Sequence, residues 1–123
     1  MLAMSNRAHI RVRPASKQAL TQCFTDVLGC GAPAALPAPG LAEPMIAFRF
    51  PDGGSVSFEF TDDAPDEQPA RQGAWLELQS DDVEALRAKV IAAGFPQLRH
   101  PATSTFYFAV PGGQVFGIVA RRG

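Results

Sequence analysis

The stretch AWLELQSDDVEALRAKVIAAGFP, residues 74–96, predicts a strand followed by a helix. Its first six residues alternate apolar and polar side chains, the pattern of a half-buried strand. Asp81 and Glu84 then form the pattern of a capping box, and Gly94 ends the helix. The predicted apolar face of this helix comprises Val83, Leu86 and Val90.

An earlier stretch, AHIRVRPASKQALTQCFTDVLGCG at residues 8–31, has the same layout. It begins with an alternating strand, Ser16 is the predicted N-cap, and Gly29 ends the helix. Apolar residues at helical spacing form one face of that helix: Leu20, Cys23, Phe24, Val27 and Leu28. When the two stretches are placed in register, His9 falls opposite Trp75.

The repeat continues beyond the helices. FRFPDGGSVSFEF at residues 48–60 matches FAVPGGQVFGIV at 108–119, with two more residues in the first turn. Each copy therefore reads as strand, helix and three strands, which predicts an α+β fold of two βαβββ modules. We place module 1 at about 8–60 and module 2 at about 74–120, joined by an exposed linker at about 61–73.

Composition narrows the possible partners. A chain of 123 residues with 46% hydrophobic content suits a single domain, and its net charge of −1 favours neither nucleic acid nor a membrane surface. No apolar run approaches the roughly 20 residues of a membrane span, and the N-terminus does not resemble a signal peptide, so we expect a cytoplasmic protein. Cys23 and Cys30 are interpreted as small buried hydrophobes.

The order of these motifs resembles the vicinal oxygen chelate superfamily, also called the glyoxalase/bleomycin-resistance/dioxygenase family. HIRVR and CFTDVLG are similar to its opening strand and first helix end. LELQSDDVEALRAKVIAAGFP and FAVPGGQVFGIV are similar to its second helix and final hairpin. The resemblance implies a curved mixed sheet around a cup, with the helices on the outer face, and a homodimer whose cups form within or between chains.

The resemblance also implies where a metal would be held. The family's four ligand positions fall on His9, Glu59, Trp75 and Gly117, and only the first two carry side chains that bind a metal. Divalent ions of this kind need about three protein ligands and an open position, so we expect no complete metal site. A divalent metal, if one binds, would use His9 and Glu59, while His100 lies outside the usual positions.

Strand alternation predicts which other side chains face the cup. Trp75 could stack on a planar ligand, and Arg11 or Arg49 could grip a carboxylate or phosphate. Gly117 would leave room for a substrate atom, or it could be a position where another group approaches the backbone closely. Plainer readings exist, since Trp75 suits a core or a dimer interface and Arg11 could simply pair with a glutamate. The predicted ligand-binding residues are Arg11, Arg49, Ser57, Trp75, Glu77, Tyr107 and Gly117, with His9 and Glu59 as candidate catalytic residues.

Three functional hypotheses follow. The first is a small-molecule-binding protein without a complete metal site, which takes a planar or anionic ligand in the cup. The second is an enzyme: a metal-dependent lyase, isomerase or dioxygenase using His9 and Glu59, or a metal-free catalyst using the same pair for acid–base chemistry. The third is an interaction module whose cup has collapsed around Trp75.

Overall fold

The computed structural model describes residues 1–121. The first module contributes four strands, β1 (Arg7–Val12), β2 (Ala34–Leu36), β3 (Met45–Arg49) and β4 (Ser55–Phe60). The second contributes β5 (Leu76–Ser80), β6 (Gln97–His100), β7 (Thr103–Ala109) and β8 (Val115–Ala120). The helices are α1 (Lys17–Gln22), α2 (Glu67–Ala70) and α3 (Val83–Ala92).

The strands form two four-stranded mixed sheets of the same topology. Their orders are β1-β4-β3-β2 and β5-β8-β7-β6, and in each sheet the outer strand β1 or β5 pairs in parallel with the last strand of its module. Two βαβββ modules are therefore present, as the repeat predicts. Each module forms its own four-stranded sheet, and no ladder joins the two sheets within residues 1–121.

The pairing register places the two modules' key positions in equivalent slots. Glu59 pairs with Arg11, which lies two residues after His9. Gly117 pairs with Glu77, which lies two residues after Trp75. Glu59 and Gly117 are therefore in equivalent positions of the two ladders, whereas Trp75 lies one residue before β5 and outside its ladder.

The core depends on Phe24, which is fully buried. Its ring stacks on Phe48 at 4.8 Å between centroids and meets Phe58 edge-on at 5.4 Å. It also meets Phe116 of the second sheet at 5.9 Å. One aromatic side chain from the first helix thus contacts both sheets, and the two modules share one hydrophobic core.

The helix ends differ in detail from the sequence prediction. Ser16 is at the N-cap position of α1, but its side chain makes no capping bond because a 3₁₀ turn over Pro14–Ser16 precedes the helix. The helix continues beyond Gln22 as a π-helical turn over Cys23–Val27 and ends at Gly29, whose φ of 75° favours glycine. At α3 the N-cap is Asp82 rather than Asp81, since the Asp82 carboxylate accepts from the Ala85 amide at 3.0 Å.

The linker is more ordered than the sequence predicts. Ala64 is only 1% exposed, and its carbonyl accepts a 2.7 Å hydrogen bond from Nε of Arg13. Within the linker, α2 places Glu67 where its Oε1 accepts from the Gly112 amide at 3.1 Å. The description as an exposed loop was therefore wrong in part, because these contacts attach the segment to both modules.

Two further expectations concern the cysteines and the membrane. Both cysteines are free thiols; Cys23 is buried and Cys30 is half-buried. Burial, with a smaller effect of Cys30, raises the pKa of Cys23 to about 12, and burial also raises the pKa of Cys30.

Among the helices of residues 1–121, none combines the length and apolar character that crossing a membrane would require.

We expect Phe24→Ala to lower the free energy of unfolding by about 3–5 kcal/mol, because the cavity it leaves borders both sheets. Urea unfolding followed by circular dichroism measures this loss. Ile91→Ala is the matched control: Ile91 is 43% exposed on α3, so its truncation should change stability by only about 0.5 kcal/mol. Equal effects of the two substitutions would contradict a shared core centred on Phe24.

Candidate functional site

A hydrogen-bonded network occupies the polar face of the first sheet. The register of β1 and β4 sets His9 beside Ser57 and Arg11 beside Glu59. Nδ1 of His9 lies 2.8 Å from Oγ of Ser57, and its Nε2 lies 3.1 Å from Oε1 of Glu59. Both ring nitrogens of His9 are therefore engaged within the sheet.

Arg11 completes this network. Its Nε lies 3.4 Å from the second carboxylate oxygen of Glu59, and its Nη2 lies 3.9 Å from Asp63. The hydrogen bond from His9, with a further contribution from Arg11, lowers the pKa of Glu59 below its usual value. Glu59 is thus an ionised acceptor near neutral pH, while the Arg11 side chain remains 49% exposed.

An aromatic cluster occupies the corresponding face of the second sheet. The Trp75 ring lies 4.8 Å from the ring of Tyr107 and meets His100 edge-on at 5.9 Å. The indole N–H donates to the carbonyl of Arg71 at 2.8 Å, which fixes the orientation of the tryptophan. Trp75 is half-buried, so part of its ring is available for contact.

Gly117 is a position of close approach, the second of its two predicted roles. A Cβ built on this residue would lie 2.7 Å from Cε1 of Tyr107 and 3.1 Å from Cγ2 of Thr105. The space above the glycine is therefore occupied by the tyrosine ring, not kept for a substrate atom. Because Tyr107 in turn lies against Trp75, Gly117 permits the aromatic cluster to form.

An open cleft of about 820 Å³ lies beside this cluster. Its volume is within the range of small-molecule sites. The nitrogen Nε of Arg71 is buried and has no hydrogen-bond partner within residues 1–121. The cleft is lined by Gln68, Arg71, Gln72, Gly73, Trp75, Leu98, His100, Ala102, Thr103 and Tyr107.

The structure divides the predicted site residues between two places. Trp75 and Tyr107 line the cleft, while the network of His9, Arg11, Ser57 and Glu59 lies on the other sheet and contributes nothing to its lining. Arg49 and Glu77 are exposed and form no salt bridge within residues 1–121. The open cleft and the half-exposed Arg11 do not support a collapsed cup.

Sequence reasoning missed the linker's part of the cleft. Gln68, Arg71 and Gln72 were assigned to an exposed loop, and His100 was considered only as a metal ligand. The one available signal was the position of Arg71, four residues before Trp75. That spacing alone does not reveal a helical turn that brings the arginine carbonyl to the indole.

The donor set does not fit a complete metal centre. His9 and Glu59 are in contact, but the equivalent positions of the second module hold Trp75 and Gly117, which cannot ligate through their side chains. No group of three or more histidine, cysteine or acidic residues is arranged to hold a metal within the described part of the chain. Two ligands, both already hydrogen-bonded, fall short of what a divalent ion requires.

We expect Gly117→Ala to displace the Tyr107 ring and to destabilise the protein by about 1–3 kcal/mol. Since the tyrosine contacts Trp75, the near-ultraviolet circular dichroism and tryptophan emission should change as well. Gly31→Ala is the control, because a Cβ there would meet nothing within 4 Å. An unchanged tryptophan signal in Gly117→Ala would show that the glycine does not support the aromatic cluster.

Known structures share this architecture over their whole length. TnmS3, an antibiotic-binding protein from Streptomyces sp. CB03234, matches with a TM-score of 0.65 and 18% identity, covering 99% of this chain and 100% of the other. A glyoxalase/dioxygenase from Nostoc punctiforme matches with a TM-score of 0.73 and 16% identity, covering 100% and 97%.

A member of the glyoxalase/bleomycin resistance protein/dioxygenase superfamily from Sphaerobacter thermophilus DSM 20745 gives a TM-score of 0.66 at 17% identity, covering 98% of this chain and 99% of the other. No protein-family model and no curated protein matches the sequence significantly. Identities this low bear on architecture and not on activity. The chain has the fold of the glyoxalase/bleomycin resistance protein/dioxygenase superfamily.

Proposed function

We propose that this protein binds a planar, anionic small molecule in the cleft beside Trp75. The observation that carries the proposal is the buried Nε of Arg71, which has no partner within residues 1–121 and lies among the cleft-lining residues. A buried N–H donor without an acceptor costs free energy, and an anionic ligand in the cleft would bind the guanidinium to which this nitrogen belongs.

The aromatic wall supports a flat ligand. Trp75 is held by its indole hydrogen bond, and Tyr107 packs against it at 4.8 Å, so the ring faces are already oriented before a ligand arrives. A preoriented aromatic surface loses little entropy when a flat ring stacks on it. Gln68 and Gln72 add amide groups that can donate to or accept from polar substituents.

The likeness to TnmS3 agrees with this function. That protein is an antibiotic-binding protein, and the two chains correspond over nearly their full lengths. The incomplete metal donor set in this chain also favours recognition by stacking and charge. The proposal therefore assigns Trp75, Tyr107 and Arg71 as the principal ligand contacts.

Anthraquinone-2-sulfonate should quench the fluorescence of Trp75, which is the single tryptophan of the chain. Arg71→Met should weaken binding about tenfold or more, the loss expected for a charge-assisted hydrogen bond. Lys89→Met, which removes one positive charge from the exposed side of α3, is the matched control and should bind like the parent protein.

Neutral anthraquinone should bind the parent protein and Arg71→Met alike, because it cannot use the guanidinium. The same comparison separates a charge effect from damage to the cleft. If the sulfonate binds Arg71→Met as tightly as the parent protein, the role of the arginine is wrong. If neither compound perturbs Trp75, the cleft is not the binding site.

We also propose that the protein is a homodimer. The exposed strand β2 supports this, because its residues Ala34, Ala35 and Leu36 present apolar side chains and an unpaired edge. Light scattering after size-exclusion chromatography should give about twice the 13.1 kDa chain mass. Replacing Ala35 with proline, which blocks edge pairing, should shift the mass toward that of one chain; a single-chain mass for the parent protein would contradict the proposal.

A further inference from the structure

The hydrogen bonds of the first sheet form a line of three groups, hydroxyl, imidazole and carboxylate. Oγ of Ser57 lies 2.8 Å from Nδ1 of His9, and Nε2 of the same ring lies 3.1 Å from Glu59. The order of groups, a nucleophile bonded to a base that a carboxylate orients, is the one that activates serine in acyl-transfer enzymes, although here the serine contacts Nδ1 and the carboxylate Nε2. We propose that Ser57 is a nucleophile that attacks carboxylic esters, with His9 as its general base and Glu59 as a positioning residue.

The direction of the hydrogen bonds follows from the partners. The Glu59 carboxylate can only accept, so in the tautomer with its proton on Nε2 the His9 ring donates to Glu59. Nδ1 is then an acceptor, and the bond at that nitrogen must be donated by the Ser57 hydroxyl. Arg11 holds the other carboxylate oxygen at 3.4 Å, which keeps Glu59 in place behind the ring. The network therefore presents the serine in the form that can transfer its proton.

The residue beside Ser57 on β3 is small. This neighbour across the β3–β4 ladder is Ala47, whose methyl group occupies little of the sheet surface. In the next row, Ser55 is flanked by Arg7 on one side and Arg49 on the other. Neither arginine forms a salt bridge within residues 1–121.

These two arginines suggest the class of ester. Residues diagonal to each other on a sheet lie about 7–8 Å apart, within reach of a long side chain. A guanidinium at that distance can stabilise the oxyanion that forms on the attacked carbonyl, or bind an anionic group on the acyl chain. The favoured substrate is therefore a small ester whose acyl part carries a negative charge.

The reaction balances with water as the only co-substrate. Oγ of Ser57 forms a bond to the carbonyl carbon while its proton passes to Nδ1 of His9, and that proton then leaves on the departing alcohol as the ester C–O bond breaks. Water attacks the acyl-serine in the second half, giving its proton to His9 and its oxygen to the acid product. Ser57 regains its proton, so no oxidant or cofactor is consumed.

Covalent labelling of the full chain tests the nucleophile. Incubation with a fluorophosphonate probe, followed by peptide mass spectrometry, should place one label on Ser57. Ser55→Ala is the matched control, because Ser55 lies on the same strand and face but has no histidine beside it, and it should label like the parent protein. Label on Ser55, or no label on Ser57, would overturn the proposal.

Turnover tests the base and the positioning residue. Hydrolysis of mono-4-nitrophenyl succinate should fall about 100-fold or more in Ser57→Ala and in His9→Gln, the usual effect of losing a general base. Glu59→Gln should slow probe labelling, and the ¹⁵N shifts of the His9 ring should show the proton moving from Nε2 to Nδ1. Unchanged turnover in His9→Gln, in a variant whose circular dichroism shows it folded, would refute the catalytic role.

This inference is independent of the proposed cleft ligand, because the two sites share no residue. Anthraquinone-2-sulfonate binding should be unchanged in Ser57→Ala, and ester hydrolysis should be unchanged in Arg71→Met. Loss of both properties in either variant would instead indicate a single combined site and contradict the assignment of two.

Discussion

The contact of Phe24 with three other phenylalanines is the interaction on which the remaining structure depends. Its ring stacks on Phe48, meets Phe58 edge-on, and reaches Phe116 in the other module. Each sheet buries one of its faces, and Phe24 of the first helix packs against the buried faces of both sheets. Because the apolar faces are buried in that core, the polar and aromatic side chains of the two sites lie on the opposite faces of the sheets.

The two opposite faces differ in the side chains that they carry and in how those side chains interact. In the first module, His9, Arg11, Ser57 and Glu59 satisfy one another through hydrogen bonds and ion pairs. In the second, Gly117 lacks a side chain, and the space above it is filled by the Tyr107 ring, which packs on Trp75. A duplicated unit has thus produced a polar network in one copy and an aromatic wall in the other.

The linker forms part of the cleft beside the aromatic cluster. Arg13 and Glu67 attach it to the modules, and its helical turn brings the Arg71 carbonyl to the indole of Trp75. The same turn leaves Nε of Arg71 buried without a partner in the described chain. A segment that the sequence predicts to be a polar connection therefore supplies the hydrogen bond that orients the tryptophan and, under the proposed function, the positive charge that would bind the ligand.

The sequence by itself determined the modules, because strand alternation, helical spacing and the glycine stops at Gly29 and Gly94 are local properties that repeat along the chain. It also paired His9 with Trp75 and Glu59 with Gly117, since equivalent positions of a repeat occupy equivalent slots in a sheet. Only the tertiary structure decided which side chains contact one another around those positions. Tyr107 packs over Gly117, and Ser57 bonds to His9 although the two residues are 48 positions apart. The Nε of Arg71 is buried by the fold of the linker. Short-range sequence patterns do not predict such contacts or such burial.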